Sequence, residues 1–393
     1  MRTVRYVIVG GGMTAEAALR GIRSVDPSGE AVLIASENVP PYNRPPLSKA
    51  LWKGEPEESI WRKSPGDHVE VRLGRTVTSI DPARKTVSER DGHAYTYEKL
   101  LLATGGTVRR LSPDVDGIIY FRTLEDYHAL RALCQQGNSF AVIGGGFIGS
   151  EIAAALAMNG KSVTMVFPEE GIGSRVYPAT ISHFLKEYFQ GKGVAVRSGE
   201  TVASISRAGA RYELRTSSGA QLTVDGVVAG LGIEPNIGLA RSAGITVENG
   251  IRVDRFLRTS QPDIFAAGDV ARFYASALDK FIRAEHEDNA NAMGEAAGKN
   301  MAGAEIPYDH LPSFYSDLFD LGYEAVGDLD AHLESFEDWN VPFREGVVYY
   351  LRNGRVRGVL LWNVWGKVDE ARALIAANGP FRASDLKGRL VNS

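Results

Sequence analysis

One pattern occurs twice in this chain, and few folds can accommodate it. "RYVIVGGGMTAEAALRGI" runs an apolar stretch, Tyr6 to Val9, into Gly10, Gly11 and Gly12, then into an alanine-rich helical pattern with Ala15 at the third small-residue position. "SFAVIGGGFIGSEIAAALAM" repeats it with Gly144, Gly145, Gly146 and Gly149. A second apolar run and an acid follow each copy. "AVLIASE" ends at Glu37, and "SVTMVF" stops just before Glu169. Strand, glycine turn, helix, strand and acid make up a dinucleotide-binding βαβ unit. The glycines admit a pyrophosphate to the helix N-terminus, where free N–H groups and the helix dipole favour an anion. The acid accepts hydrogen bonds from a ribose. Two such units mean two nucleotide domains, and two dinucleotides in one chain suggest that one passes electrons to the other.

The connecting segments agree. "YEKLLLATGG" reads as a buried strand ending at Thr104 and Gly105, and "DGVVAGLGIEPN" is its counterpart in the second half, with Gly232 near its end. "TSQPDIFAAGDVARF" has a strand from Ile264 to Ala267 that runs into Gly268-Asp269. A carboxylate there can bind the sugar-like chain of a flavin; by residue type alone Asp269 is as readily a turn or cap residue. Cys134 is the only cysteine, so an intramolecular disulfide and a CxxC pair are both excluded. The 393 residues allow two or three domains, and a net charge of −4 gives no bias toward nucleic acid. No apolar run reaches the length of a membrane span. "MRTVRYVIVGGG" enters a strand at once, with no leader-like stretch, so the cytoplasm is the expected compartment.

"PPYNRPPLSKALW" is stiffened by proline and ends its first half in Ser48-Lys49. Pro45-Pro46 suits a first helical turn, which predicts a helix starting near Leu47. A lone lysine is ordinarily a solvated surface group; a rigid loop that ends in one suggests a cation held in one place.

Taken in order, "GGGMTA…E", "ATGG", "GGGFIG…E" and "IFAAGD" resemble the FAD- and NAD(P)H-dependent pyridine nucleotide disulfide reductase superfamily. "PYNRPPLSKALW", "FRTLEDY", "FPEEG", "EHEDNA" and "SDLFDLGYEAVGDL…EGVVYYLRNGRVRGVLLWNVWGKVDEAR" narrow this to the branch of ferredoxin reductases of oxygenase systems and apoptosis-inducing factor. The C-terminal stretch and "FPEEG" look closest to apoptosis-inducing factor. The resemblance implies an α/β fold: two Rossmann-like domains of glutathione-reductase type plus a C-terminal α+β domain. The FAD domain would be 1–111 and 236–312, the NADH domain 112–235, and the third domain 313–393.

Site residues follow by position. The resemblance places Gly10, Gly11, Gly12, Met13, Thr14 and Glu37 on the ADP part of FAD. Arg44, Lys49, Val77, Thr104, Gly105, Arg122, Asp269, Glu285, His286 and Tyr315 fall elsewhere around the flavin, Val77 being equally well plain strand core. Gly144, Gly145, Gly146, Phe147, Ile148, Glu169, Arg175, Gly232 and Glu324 fall around NADH. Phe147 would cover the nicotinamide face, or simply pack helix on sheet. Where disulfide reductases carry a redox cysteine pair, this chain has Ser48 and Lys49. Lys49 would stand near flavin N5 and pair with Glu151, and His286 would open a helix whose positive end faces the flavin pyrimidine ring. Lys49, Glu151, His286 and Tyr315 are thus the expected catalytic group; no metal site is expected.

The family's tryptophan in "WSD" is Tyr315 here, and Glu287 stands where apoptosis-inducing factor has a second histidine. Asp328 to Glu345 reads as a short acidic loop in place of that protein's insertion, so its DNA-binding role is not carried over. Glu169 and Glu170 repel the extra phosphate of NADPH, with Arg175 nearby as a moderator, so NADH is favoured over NADPH. The implied reaction takes hydride from NADH to FAD and passes electrons to a ferredoxin or another one-electron acceptor. An acidic ferredoxin would dock on a basic patch; Arg62-Lys63, Arg109-Arg110 and Arg352, Arg355 and Arg357 are candidates. The alternative is a redox sensor like apoptosis-inducing factor, with a long-lived charge-transfer complex of reduced FAD and NAD+ that controls dimerisation or partner binding. The chain would then be a monomer or an NADH-dependent homodimer.

Overall fold

The structure is a computed structural model and describes residues 2–63 and 66–391. Its internal contacts divide the chain into two units. The first comprises the chain up to Arg44, Glu57–Thr107 and Glu234–Pro312; the second comprises Pro45–Pro56, Val108–Ile233 and the chain from Ser313.

The first unit is built on a sheet with parallel strands in the order Val69–Arg72, Ala31–Ile34, Arg2–Val9, Ala94–Leu102. Tyr6, Val7 and Ile8 are fully buried, the mark of a strand covered on both faces. The Ala94–Leu102 strand branches. Its first half pairs antiparallel with Thr86–Glu89, and its last residues pair parallel with Ile264–Ala266. That branch brings the Gly268-Asp269 turn beside the first glycine turn: a Cβ on Gly268 would collide with the Thr14 side chain. The helices Met13–Val25 and Glu287–Met301 lie almost backbone to backbone. Side chains at Gly294 or Gly298 would strike the carbonyls of Thr14 and Ala18.

The second unit holds the other parallel sheet, in the order Ala195–Ser198, Ser162–Phe167, Ser139–Ile143, Gly226–Ala229, Ile119–Tyr120. A three-stranded antiparallel layer, Val202–Ala208, Arg211–Thr216 and Gln221–Val224, packs its apolar face on this sheet through Tyr212, Leu214 and Val224. The C-terminal stretch folds as a five-stranded antiparallel sheet, in the order Ser313–Leu318, Leu321–Gly327, Arg355–Trp362, Glu345–Arg352, Glu334–Val341. Asn353-Gly354 forms the expected hairpin turn with both residues at positive φ, and the expected helix spans Val368–Ala376.

Two local expectations are corrected. No α-helix starts near Leu47; Pro45–Ser48 and Ala50–Lys53 are two short 3-10 turns, broken by the non-helical backbone of Lys49 and closed by Gly54 at φ 93°. The acidic stretch after Asp328 is not all loop. Glu334–Val341 adds an edge strand, in which Phe336 stacks on Tyr349 at 6.1 Å. The charges that made it read as loop sit on a half-exposed edge, where charged side chains blunt further pairing. Among the described residues no helix is long and apolar enough to cross a membrane.

Candidate active site

The two glycine turns are built alike. Gly10 and Gly144 have φ of 133° and 113°, and a side chain at either would drive into the carbonyl of Ala103 or Gly230 respectively. Here the glycine serves the protein itself, letting strand, turn and helix close up. Gly12 and Gly146 differ. They cap the helices Met13–Val25 and Phe147–Met158 without a side-chain capping bond, and among the described residues an added Cβ would meet no non-neighbouring atom within 4 Å at either. A helix start usually carries Ser, Thr, Asp or Asn. Glycine with open space before it fits a ligand that approaches the backbone closely, as a pyrophosphate does.

The acids sit where the spacing put them. Glu37 accepts from the Tyr42 hydroxyl at 2.8 Å and from the Arg44 guanidinium. A carboxylate has about four lone-pair sites, so acceptor capacity remains for ribose hydroxyls. Glu169 pairs with Arg175 at 2.7 Å, while the arginine side chain is 81 % exposed. Thr104 and Asn236 bond each other's carbonyls at 3.0 and 2.8 Å, and the Gly105 carbonyl accepts from the Asn236 N–H. Val77 is buried in its strand, as plain core would be. Arg122 precedes the helix Leu124–Gln136, which Thr123 caps, and its N–H donates to the Asp126 carboxylate of the first turn at 3.0 Å. Gly232 accepts from the Arg109 N–H through its carbonyl.

His286 caps the helix Glu287–Met301, as expected from its place before that run. Burial lowers its pKa to about 4, with Asp269 and Asp288 pulling the other way, so near neutral pH the imidazole is uncharged. Glu285 is exposed and paired with Arg283 at 2.5 Å.

Lys49 and Glu151 meet inside the second unit. The Lys49 ammonium donates to Glu151 Oε2 at 2.7 Å, with the two side chains 9 % and 3 % exposed. The Ser48 hydroxyl donates to the same oxygen at 2.5 Å, and the Ser316 hydroxyl donates to Oε1 at 2.6 Å. The carboxylate therefore has protein donors on both oxygens. Tyr315, 40 % exposed, holds its ring 5.3 Å from the Lys49 nitrogen, a cation–π distance. Glu324 is the cross-strand partner of Tyr315 and accepts from the Gly366 N–H at 3.0 Å. Phe147 packs on Phe314 with ring centres 5.1 Å apart. Ile148, the next residue, is 38 % exposed.

Sequence reasoning missed Ser316 and Phe314, and singled out Ser48 without its bond to Glu151. The strand period of two was the only signal, since it sets Ser316 on the face opposite Tyr315. Two basic-patch candidates also change character. Arg62 is turned inward and bonds Glu16, Asn43 and Asn291, each at 2.7 Å, and Arg357 is buried.

Comparison with known proteins gives a consistent picture. A family model described as pyridine nucleotide-disulphide oxidoreductase matches residues 4–296, and one described as the C-terminal part of apoptosis-inducing factor, mitochondrion-associated, matches 297–342 and 335–377. The chain is 36 % identical to monodehydroascorbate reductase 2 of Arabidopsis thaliana, covering 92 % of this chain and 90 % of that protein. It is 34 % identical to the ferredoxin reductase subunit of a 5,5'-dehydrodivanillate O-demethylase from a Sphingobium species, over 94 % and 92 %. Among solved structures, the covalent putidaredoxin reductase–putidaredoxin complex superposes with a TM-score of 0.89 at 30 % identity, over 96 % and 94 %.

Proposed function

We propose, for a chain that belongs to the pyridine nucleotide-disulphide oxidoreductase family, that it oxidises NADH through FAD and gives the electrons to a separate one-electron carrier of the ferredoxin class. The observation that carries this reading is the segment after Pro45-Pro46. It ends not in a cysteine pair but in Lys49 locked on Glu151, in a chain whose only cysteine is Cys134. A dithiol relay needs two sulfurs, so electrons leave by another route.

FAD, when bound, supplies a hydride acceptor at N5 and releases electrons singly. Gly10 to Thr14, Glu37 and Asp269 would hold its ADP and ribityl parts, with Arg44, Val77, Thr104, Gly105, Arg122 and Glu285 completing its surroundings. Lys49, fixed by Glu151, would hold the N5 edge in register, and Tyr315 would lie against the same region. The start of the helix at His286 would favour negative charge on the reduced ring while the neutral imidazole adds none of its own. Gly144 to Ile148, Arg175, Gly232 and Glu324 would hold NADH. Glu169 would select NADH over NADPH, because a carboxylate accepts from free ribose hydroxyls and repels a phosphate. Division into an FAD domain (1–111 and 236–312), an NADH domain (112–235) and a C-terminal domain (313–393) belongs to the same proposal, as does a cytoplasmic protein that is monomeric or dimerises with NADH.

A second reading is favoured by the match of residues 297–377 to the C-terminal part of apoptosis-inducing factor. In it, reduction is slow and the reduced complex itself is the signal. Anaerobic rapid mixing with NADH or NADPH, followed by air or a ferredoxin, separates the two. Fast bleaching by NADH and prompt reoxidation by ferredoxin support the reductase. Slow bleaching, a long-wavelength band that survives air and a shift to dimer support the sensor. No bleaching by either nucleotide refutes both.

A further inference from the structure

We propose that Ser316 is a positioning residue for hydride transfer, through which the C-terminal sheet fixes the Lys49–Glu151 pair. The inference rests on the reading above that Lys49 serves the flavin.

Glu151 Oε2 takes two donors, Ser48 and Lys49, both from the short-turn segment. Its other oxygen takes one donor, Ser316, from the strand Ser313–Leu318. Without that bond the carboxylate could rotate about its last torsion, a soft one, and redirect the oxygen that holds Lys49. Ser316 is itself held. It is 1 % exposed and lies directly across from Tyr323 in the antiparallel pair. The Tyr323 hydroxyl accepts from Tyr177 at 2.7 Å, and both tyrosines are fixed by packing, Tyr323 stacking on Trp362 at 5.7 Å. Ser316 thus connects a rigid aromatic cluster to the one free swing of the carboxylate. The strand makes two further contacts on either side of this serine. Tyr315 faces the Lys49 nitrogen, and Asp317 pairs with Lys53 at 2.9 Å. Tyr315 and Asp317 thus touch the segment that carries Lys49, and Ser316 between them holds it through Glu151.

The test uses two readouts on Ser316→Ala, Ser316→Thr and Tyr323→Phe. In apoprotein, the rate at which an amine-acylating reagent labels Lys49 is followed by peptide mass spectrometry. In FAD-loaded protein, the limiting rate of flavin reduction and the apparent NADH dissociation constant come from anaerobic stopped flow. Ser316→Ala is expected to label Lys49 at least threefold faster and to reduce flavin about tenfold more slowly, with NADH affinity within twofold. Ser316→Thr, which keeps the hydroxyl, should recover most of both. Tyr323→Phe should shift both in the same direction by a smaller factor. Unchanged labelling and reduction in Ser316→Ala would overturn the proposal, as would labelling that rises equally at lysines elsewhere in the chain, which signals general loosening. If Lys49→Ala itself reduces flavin at the normal rate, the underlying reading fails instead, whatever Ser316→Ala does.

Discussion

Lys49 and Glu151 form an ion pair that a double-mutant cycle can weigh. Charges 2.7 Å apart gain roughly 6 kcal/mol of attraction at an effective dielectric of about 20. Desolvation offsets much of this, because both side chains are more than nine-tenths buried. The pair then contributes little net stability, but losing one member is costly. Lys49→Met leaves a carboxylate 3 % exposed with the neutral hydroxyls of Ser48 and Ser316 in place of a cation, and such an orphaned charge costs roughly 3–5 kcal/mol. For a unit of this size that lowers the melting temperature by roughly 6–20 °C. Glu151→Gln strands the ammonium and should cost about as much. The double variant Lys49→Met/Glu151→Gln leaves neither charge, so its loss should be about 1–2 kcal/mol, below that of either single variant. Scanning calorimetry of the four apoproteins at one pH and salt gives the coupling energy. A coupling below about 0.5 kcal/mol, with losses that simply add, would refute the argument: the two groups would then be independently solvated.

Three further outcomes are expected. Gly12→Ala and Gly146→Ala add a Cβ that meets no non-neighbouring atom of the described residues within 4 Å, so melting of the apoproteins should change by no more than about 1 kcal/mol; calorimetric titration should show FAD affinity falling at least tenfold for the first and NADH affinity for the second, and retained affinity would mean that no ligand passes there. His286 binds its proton only near pH 4 when folded, against 6.5 otherwise, so between these values the unfolded chain holds more protons and stability falls as the pH drops through that window; His286→Asn should flatten the melting-temperature profile there, and an unchanged slope would assign it to other groups. Glu169→Ala, which frees Arg175, should move the ratio of kcat/KM for NADPH over NADH up by at least tenfold, and no change in that ratio would remove Glu169 from coenzyme selection.

The parts of this fold that were legible share a short range. Each glycine turn announces itself because strand, turn and helix are contiguous, and Asn353-Gly354 fixes its hairpin from two residues. The segment from Pro45 to Lys53 was misread as an α-helix because proline favours a first turn without saying how many turns follow. Glu334–Val341 was hidden by its charges, since an edge strand with half-exposed faces lacks a clean apolar alternation. Arg62 looked like surface because sequence gives a cation no partners, whereas the fold brings Glu16, Asn43 and Asn291 to it from three separate places. The Lys49–Glu151 pair was reachable only through family resemblance, and Ser316 not even so. Its partner lies 165 positions away in the chain, and no periodicity spans that distance.

The candidate site also shows where this chain gives up stability without a return in packing. A glycine at a helix start in place of a capping residue forfeits a hydrogen bond, and at Gly12 and Gly146 none of the described residues occupies the space gained. A buried ion pair is no better for stability than well-packed apolar side chains of similar volume, yet Glu151 is followed directly by the core residues Ile152, Ala153 and Ala154 of a helix that could have continued apolar. Local rules broken without structural compensation concentrate where a molecule other than the protein completes the arrangement. By that criterion each glycine turn and the Lys49–Glu151 pair is a place where such a molecule would be expected. Apolar replacement of the pair, Lys49→Met/Glu151→Leu, should then leave a protein that folds about as well as the parent, still retains FAD, and takes hydride from NADH far more slowly. If that variant reduced flavin at the parental rate, the buried charges would have no chemical role.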